Sequence, residues 1–358
     1  MNTNNFCIIM AGGTGSRFWP LTKDNNPKQF IDMLGTGETM LQSTFRRFER
    51  VCPRENIIIV TGANMGERVR SQIPDLRDYQ VLCEPSRRNT APCVAYAAAI
   101  IRDINPNANV IVSPSDHAVF DEDKFIQNID EAVVMADRHD WIVMLGVQPT
   151  YPNTKYGYIQ FDEQPATTST LDVHRVITFT EKPPKEMAVQ FIATGEFLWN
   201  SGIFVWRLPV LQKAYAEHLP WVSENFAGVT LDTTRSEIEE VYGQTESISI
   251  DFGIMEKTDN VYVMKAAFGW SDVETWDSVF ESVERDENDN VVASGRVLTY
   301  DTHNCIFHVP EGLSVVVQGL KDYVVSAKDD VLMIAPRDCQ DLTIKYDSDL
   351  EAMIRKGE

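Results

Sequence analysis

Residues 8–30 read IIMAGGTGSRFWPLTKDNNPKQF, and this stretch decides the fold. The apolar run Phe6–Met10 just before the glycines predicts a short buried strand. The next six residues, Ala11–Ser16, include three glycines. Glycine has no Cβ, so the backbone can turn sharply there, and its successive N–H groups can form a concavity for an anion such as phosphate. The stretch therefore predicts a strand followed by a phosphate-binding loop.

Two cations follow the glycines. Arg17 comes directly after them, and Lys28 follows Pro27. Arginine binds phosphate oxygens as a fork and lysine as a point charge. The glycines match neither the dinucleotide pattern, which requires a further glycine, nor the P-loop, which requires a lysine after its last glycine. A tight turn without a ligand would explain the glycines alone, but the two cations favour phosphate binding.

The charge balance narrows the possible partners. The 358 residues carry 32 basic and 53 acidic side chains, a net charge of −21 at pH 7. Such a chain repels nucleic acid and anionic membranes, so we expect neither as a partner. An anionic nucleotide must therefore be attracted by local cations or by a metal ion.

The chain shows no sign of export or of a membrane anchor. The N-terminus has no basic region followed by an apolar run, and the longest apolar run, Ala91–Ile101, is too short to span a bilayer. The six cysteines are scattered without a C-x-x-C pair. Scattered cysteines are typical of reduced, buried thiols, so we predict a cytoplasmic protein.

Strands and helices alternate through residues 1–150. The predicted strands are Phe6–Met10, Asn56–Thr61, Tyr79–Cys83, Asn109–Ser113 and Trp141–Gly146, and the predicted helices are Thr39–Cys52, Met65–Ile73, Thr90–Ile104 and Asp121–Arg138. Alternation of this kind predicts an α/β fold with a Rossmann-like, doubly wound, mainly parallel sheet. Ligands of such sheets lie beyond the carboxyl ends of the strands, which places the glycine-rich loop and Ser115 at one crevice.

The pattern changes twice further along the chain. Residues 151–284 mix short strands with helices and carry polar and aromatic loops, which indicates a substrate-binding extension of the same domain. An acidic connector, 284–290, precedes short strands separated by glycines, which predicts a small all-β unit. We therefore expect a catalytic domain at 1–284, with a nucleotide-binding part (1–150) and a sugar-phosphate-binding part (151–284), and a separate domain at 285–358.

The opening stretch resembles the signature of sugar-1-phosphate nucleotidylyltransferases, GGxG[ST]R…PK, and its FWPLT and PKQF segments are similar to those of mannose-1-phosphate guanylyltransferases. The resemblance implies a nucleotide-diphospho-sugar transferase fold with a short C-terminal β-helix-like domain, and a homodimer formed through that domain. It implies transfer of GMP from GTP to α-D-mannose 1-phosphate, giving GDP-mannose and pyrophosphate. It also implies Mg²⁺ as the cofactor.

The same resemblance assigns the site residues. The residues implied for catalysis are Arg17, Lys28, Asp116 and Asp272, of which the two aspartates would bind the metal. The residues implied for nucleotide binding are Ala11, Gly12, Gly13, Thr14, Gly15, Ser16, Arg17, Lys28, Glu84, Asn89, Thr90 and Ser115. The residues implied for sugar-phosphate binding are Gly157, Glu181, Lys182 and Asn200.

Simpler roles remain open for several of these residues. Asp116 alone would equally be a helix cap or a loop aspartate, Lys28 would form a surface ion pair, and Asn89 and Thr90 would cap the helix after them. One position departs from the resembled pattern: the second metal motif normally reads GWSDVG, and this chain has Glu274 in place of its last glycine. The extra carboxylate puts the loop geometry and the metal preference in question.

Other functions are also open. The same chemistry would act on another hexose or heptose 1-phosphate, and a catalytically inactive homologue would bind a GDP-sugar and regulate a partner. The presence of both cations and both aspartates disfavours the inactive homologue. A dehydrogenase is disfavoured because the dinucleotide pattern is incomplete.

Overall fold

A computed structural model describes residues 2–13, 16–23, 25–167 and 172–356, except for the side chains of Ser16 and Gln340. The chain forms two compact units. The first contains Met1–Gly12, Phe45–Ser115 and Val119–Trp270, and the second contains Gly13–Thr44, Asp116–Ala118 and Ser271–Glu358. The glycine-rich stretch therefore contributes to both units.

The strands are β1 (Asn5–Ala11), β2 (Ile57–Gly62), β3 (Val81–Glu84), β4 (Asn109–Pro114), β5 (Ala118–Val119), β6 (Ile142–Val147), β7 (Gly157–Pro165), β8 (Val173–Glu181), β9 (Phe197–Arg207), β10 (Val261–Ala266), β11 (Trp270–Ser271), β12 (Val291–Ser294), β13 (Arg296–Tyr300), β14 (Ile306–His308), β15 (Ser314–Gln318), β16 (Tyr323–Lys328) and β17 (Val331–Pro336). The helices are α1 (Met40–Phe48), α2 (Gly66–Gln72), α3 (Thr90–Ile104), α4 (Glu122–His139), α5 (Lys185–Thr194), α6 (Leu208–His218), α7 (Pro220–Asn225), α8 (Arg235–Gly243), α9 (Trp276–Ser282) and α10 (Thr343–Lys356). No helix within the described part of the chain is long and apolar enough to cross a membrane.

The first unit is built on a sheet of nine strands in the order β3-β2-β1-β4-β9-β6-β10-β8-β7. Strands β1 to β4 pair in parallel, as the alternation of strands and helices predicts. Helix α1 begins with the capping box that the sequence indicates, because Thr39 and Gln42 exchange hydrogen bonds of 2.9 and 3.3 Å.

The other half of the sheet corrects the expected topology, because the sheet is mixed and not mainly parallel. Strand β9 runs antiparallel between β4 and β6, and the β7–β8 hairpin is antiparallel as well. The physical reason is the connection after β6. It is a hairpin and α5, not a single crossover helix, so the chain re-enters the sheet in the opposite direction. Strand β10, which the sequence analysis did not predict, then pairs in parallel with β6.

Both faces of this sheet are buried. Phe6 and Ile8 of β1 pack in one apolar cluster with residues of α3 and α6. Cys7 and Ile9 alternate with them and are fully buried as well, so they lie on the opposite face. Burial of each such side chain contributes about 1.5–3 kcal/mol. Because both faces of the sheet are covered, a ligand can reach it only at the ends of the strands.

The second unit contains the C-terminal strands. Strands β12, β14 and β16 pair in parallel, β17 adds an antiparallel edge, and β13 pairs in parallel with β15 in a second sheet. The tail is not all-β, since it ends in the fourteen-residue helix α10. The same unit contains a core cluster that joins Phe18 and Trp19 to Trp276 and to residues of the C-terminal strands. The turn that carries Arg17 is therefore packed against the C-terminal part of the chain.

One prediction concerns Gly146 in β6, where three strands approach closely. A Cβ at this position would lie 2.6 Å from Val263 Cγ2 and 2.7 Å from Leu198 Cδ1. We expect Gly146→Ala to lower the free energy of unfolding by about 1–3 kcal/mol because it overpacks the core. Urea denaturation measures the change. Gly243→Ala is the matched control, since a Cβ there meets nothing within 4 Å. Equal stabilities of the two variants would contradict this account of the packing.

Candidate active site

The carboxyl ends of the parallel strands bring the first group of predicted residues to one edge. Ser115, directly after β4, donates its N–H to Met10 O of β1 at 3.0 Å. Ala11 O accepts a hydrogen bond from the Thr61 hydroxyl at 2.9 Å. Because β1 and β4 are parallel, the chain leaves both strands at the same edge, with Gly12 directly after β1. The expectation that the glycine-rich loop and Ser115 share an edge agrees with this arrangement.

Glu84 lies at the same edge, at the end of β3. Its side chain is buried, and Oε1 accepts a hydrogen bond from the Tyr242 hydroxyl at 3.1 Å. The other oxygen, Oε2, would lie 4.0 Å from a Cβ at Gly12. Burial raises the pKa of Glu84 to about 7, against the opposing effects of Tyr242 and Arg87. This carboxyl group can therefore gain or lose a proton near neutral pH, beside the backbone of the glycine-rich loop.

Asn89 does cap helix α3, whereas Thr90 is the first residue of the helix and contacts another segment. Asn89 has a left-handed φ of 67°, and its Oδ1 accepts from Thr90 N at 2.9 Å. The Thr90 hydroxyl accepts from Ile250 N at 2.9 Å. The backbone of Ile248 adds hydrogen bonds on both sides, to Arg88 O and from Ala91 N. The segment is thus held rigidly, with its polar side chains at a helix N-terminus.

The predicted sugar-side residues lie on adjacent strands. Gly157 of β7 pairs with Glu181 of β8. A Cβ at Gly157 would lie 3.1 Å from Glu181 Oε2 and 3.5 Å from Asn200 Cβ. A side chain at this position would contact both polar groups closely, and Glu181 would have to shift to admit it. The structure therefore brings three of the four predicted sugar-side residues together.

Lys182, the fourth, has a different environment. Its side chain is exposed, and its Nζ lies 3.9 Å from Glu181 Oε1. Its φ of 47° lies in the left-handed region, which is unusual for a residue with a Cβ. The Lys182 N–H is hydrogen-bonded to Tyr156 O at 3.3 Å. This hydrogen bond holds the strained backbone of Lys182, and the ammonium of its side chain is open to solvent.

Asp251 is a functional candidate that the sequence analysis missed. Asn200 Nδ2 donates to Asp251 Oδ1 at 2.8 Å, and Asn200 Oδ1 accepts from Gly202 N at 2.9 Å. Burial raises the pKa of Asp251 to about 6; the Asn200 hydrogen bond opposes this shift, and the charge of Glu181 adds to it. Its segment, SIDFGIMEK, resembles the corresponding segment of the resembled family, but the sequence analysis did not single out Asp251 within it. Asp251 orients the amide that is expected to bind the sugar.

In the second unit, Lys28 joins the two predicted aspartate motifs. Its ammonium lies 3.0 Å from Asp116 Oδ2 and donates to the backbone oxygens of Asp272 at 2.6 Å and of Val273 at 3.1 Å. Only 6% of the Lys28 side chain is exposed. A surface ion pair, the simpler role left open for Lys28, is therefore wrong, because the ion pair with Asp116 is largely buried; the role of Asp116 in metal binding stays a prediction.

Asp116 is kept ionised by this contact. Burial alone would raise the pKa of Asp116, but the charge of Lys28, followed by that of His117, outweighs burial and holds the pKa below its usual value. A Cβ at Gly13 would lie 3.9 Å from Asp116 Oδ2. A permanent carboxylate thus lies beside the backbone of the glycine-rich loop.

Arg17 is paired with the residue that departs from the resembled pattern. The Arg17 guanidinium forms a short ion pair with Glu274. Glu274 N in turn donates to Asp272 Oδ1 at 3.1 Å, which ties the metal motif to the arginine. Between them, Val273 has a φ of 47°, a strained conformation for a β-branched residue.

Gln29 was also missed by the sequence analysis, although it lies inside the PKQF segment. Its Nε2 donates to Gly13 O at 3.2 Å, so it fixes the backbone of the glycine-rich loop. Trp19 donates from Nε1 to Asp347 Oδ1 at 2.7 Å and is buried. Three expected nucleotide-binding positions lie outside what the structure describes, namely Thr14, Gly15 and the side chain of Ser16.

The residues present fit a divalent metal. Asp116 and the Asp272 loop already surround a cation, the Lys28 ammonium, with oxygen atoms. Among the described residues, no group of three or more His, Cys, Asp or Glu side chains could form a closed metal cage. Two carboxylates completed by water and phosphate oxygens are the arrangement that Mg²⁺ favours. Asp116 and Asp272 would hold such an ion.

Comparison with known proteins agrees with this chemistry. A family model described as "Nucleotidyl transferase" matches residues 6–289. A mannose-1-phosphate guanylyltransferase of Salmonella montevideo is 35% identical over 348 residues, which cover 93% of this chain and 71% of that protein. One of Escherichia coli is 30% identical over 347 residues, with 92% and 72% covered. A crystal structure described as mannose-1-phosphate geranyltransferase of Thermus thermophilus matches with a TM-score of 0.86 at 29% identity, over 97% of this chain and 99% of that one.

The second prediction concerns the buried carboxyl of Glu84. Its pKa is about 7 in the folded chain against an ordinary 4.5, so folding is favoured by the protonated form. This contribution is complete below about pH 4.5 and is lost as the pH rises through about 7. Relative to Glu84→Gln, the free energy of unfolding of the unmodified protein should fall by about 3 kcal/mol between these limits.

Urea denaturation at several pH values measures this difference. Exposed Glu224 supplies the matched control, since Glu224→Gln should leave the difference constant over the same range. A difference for Glu84→Gln that does not change with pH would contradict the raised pKa.

Proposed function

We propose a function from the premise that the chain belongs to the nucleotidyl transferase family. The protein is an enzyme that transfers GMP from GTP to α-D-mannose 1-phosphate and so makes GDP-mannose and pyrophosphate. The observation that carries this proposal is the position of Lys28. Its ammonium, a cation of the opening stretch, contacts both predicted aspartate motifs.

The reaction needs positioning more than proton transfer. An oxygen of the sugar phosphate attacks the α-phosphorus of GTP in line, and pyrophosphate leaves with the electrons of the broken P–O bond. The nucleophile is already an anion, so a general base is not required. The main barrier is the repulsion between two anions, which cations and hydrogen-bond donors lower. Arg17 and Lys28 are the cations that we assign to this work.

We assign the nucleotide's triphosphate to the backbone of Gly12 and Gly13 and to Arg17. Gln29 and Asp116 hold the loop and its cations in place. A bound Mg²⁺, held by Asp116 and Asp272, would neutralise phosphate charge and withdraw electrons from the α-phosphorus. Lys28 keeps Asp116 ionised and ready to bind a cation, since it holds the pKa of that carboxyl down.

We assign recognition of the base and of the sugar to residues of the first unit. Glu84, Asn89 and Thr90 present the acceptors and donors that guanine requires, on a segment fixed by backbone hydrogen bonds. Glu181 and Asn200 would bond the sugar hydroxyls, beside the bare backbone of Gly157. Exposed Lys182 would pair with the sugar's phosphate.

Several further assignments are part of the proposal. We propose Mg²⁺ as the metal because the donors are carboxylates without sulfur or imidazole. The domain division at 284/285, the β-helix-like nature of the C-terminal strands, a homodimer through them and a cytoplasmic location stay predictions. The parallel pairing of alternate strands, β12 with β14 and β13 with β15, supports the β-helix.

The third prediction tests the substrates. Purified protein with GTP and Mg²⁺ should release pyrophosphate when mannose 1-phosphate is added, and EDTA should abolish the release. Glucose 1-phosphate, a heptose phosphate and the other nucleoside triphosphates serve as comparison substrates in the same coupled assay. A preference for another sugar phosphate would replace mannose in the proposal, and no release with any pair would overturn the enzymatic function.

The fourth prediction tests the metal motif. Asp272→Asn should lower kcat by about 10²–10³-fold because it removes one of the two carboxylates that would hold the metal, whose positive charge would stabilise the transition state. Its urea midpoint should stay close to that of the unmodified protein. Asp349→Asn, an exposed aspartate of α10, is the matched control and should retain full activity. Near-normal turnover of Asp272→Asn in saturating Mg²⁺ would remove Asp272 from the metal site.

A further inference from the structure

We propose that Glu274 competes with the phosphates of the nucleotide for Arg17 and thereby weakens nucleotide binding. The inference deepens the proposed function, because it rests on the assignment of Arg17 to the triphosphate. Glu274 stands where the resembled pattern has glycine, so a chain that follows that pattern has no carboxylate at this position. The competitor is therefore a property of this chain's own sequence.

The ion pair lies where an incoming phosphate can reach it. The side chains of Arg17 and Glu274 are 38% and 34% exposed, so neither is sealed inside the protein. Arg17 lies in a single 3-10 turn, Ser16–Phe18, directly after the glycines. Arg17 is therefore adjacent in sequence to the loop that we expect to bind the phosphates.

The residues that follow Arg17 are anchored by packing and by a hydrogen bond. Phe18 is 1% exposed and stacks edge-on against Trp276, with ring centroids 5.1 Å apart. Trp19, the next residue, is held by its hydrogen bond to Asp347. These contacts fix the turn beneath Arg17.

Glu274 is anchored as firmly. Its N–H is bonded to Asp272 Oδ1, and Val273 before it is fully buried with its carbonyl on Lys28. Val273 adopts a left-handed φ of 47°, which costs conformational energy for a β-branched residue. A conformation of this kind persists only where the surroundings impose it. The loop therefore directs Glu274 at Arg17 as part of the built structure of the metal motif.

Charge decides the consequence. A guanidinium binds phosphate most strongly when its fork is available to two oxygens, and Glu274 already occupies one N–H side through Nη1. A phosphate that binds Arg17 must displace the carboxylate or share the guanidinium with it. In the second case two anions lie side by side and repel each other. In both cases the nucleotide binds more weakly than it would to an unpaired Arg17.

The fifth prediction follows for the equilibrium affinity. GTP is titrated into the protein in a calorimeter, with Mg²⁺ and without sugar phosphate, so that no turnover occurs. Glu274→Gln should lower the Kd for GTP roughly three- to tenfold, the range for one partly exposed charged contact. Glu274→Gly should act in the same direction and keeps the test valid if one variant folds poorly. Glu281→Gln removes an equal charge from an exposed position on α9 and should leave the Kd unchanged.

A double-mutant cycle tests the mechanism. In an Arg17→Ala background, Glu274→Gln should change the Kd less than twofold, because the contested guanidinium is gone. A gain that persists or grows in that background would show that Glu274 repels the nucleotide directly, and this would overturn competition for Arg17. An unchanged or higher Kd for both single variants at Glu274 would overturn the inference as well.

Failure of this inference and failure of the proposed function give different results. If the unmodified protein binds GTP and releases pyrophosphate with a sugar phosphate, the function stands, and the variants decide the role of Glu274 alone. If the unmodified protein neither binds GTP nor releases pyrophosphate with any substrate pair, the proposed function is overturned and the inference falls with it.

Discussion

The second unit depends on one buried charge, the ammonium of Lys28. A lysine removed from water is unfavourable unless oxygen atoms replace its hydration. Here the Asp116 carboxylate and the carbonyls of Asp272 and Val273 replace it. These oxygens come from segments far apart in sequence, so satisfying a single charge forces them to meet. Val273, which has a left-handed backbone, supplies one of these oxygens through its carbonyl.

Buried carboxyl groups in the first unit follow the opposite rule. Asp116 has a cation beside it and stays ionised, whereas Glu84 and Asp251 are buried with neutral hydrogen-bond partners and have raised pKa values. The chain as a whole carries a net charge of −21, yet two of its buried acids are partly protonated near neutral pH. Burial thus reduces negative charge near the groups expected to bind anions, and at Glu84 it outweighs the opposing charge of Arg87. At Asp116, by contrast, the charge of Lys28 preserves the negative charge of the buried carboxylate.

Local sequence signals predicted many of the helices and strands, whereas features that depend on contacts between distant residues were missed. The capping box at Thr39, the helix Thr90–Ile104 and the first four parallel strands depend on residues close in sequence, and they were predicted correctly. The position of β9 between β4 and β6 was missed because the insertion of a strand depends on the whole connection after β6. The pairing of Glu274 with Arg17 joins residues 257 positions apart. Its only sequence signal was Glu274 itself, which replaces the last glycine of the motif GWSDVG. Asp251 lies in a segment that resembles the family, but its role was missed because its hydrogen bond to Asn200 joins residues 51 positions apart.

The hydrogen bond between Trp19 and Asp347 has a consequence for folding during synthesis. The two residues are 328 positions apart, so the turn that carries Arg17 lacks its last contact until nearly 350 residues have been synthesised. At a synthesis rate of roughly 5–20 residues per second, this delay lasts on the order of tens of seconds. The sheet of the first unit has all its strands by Ala266, well before α10 has been translated. A ribosome-bound chain can thus have all the strands of its large sheet while the turn that carries Arg17 still lacks its contact with α10.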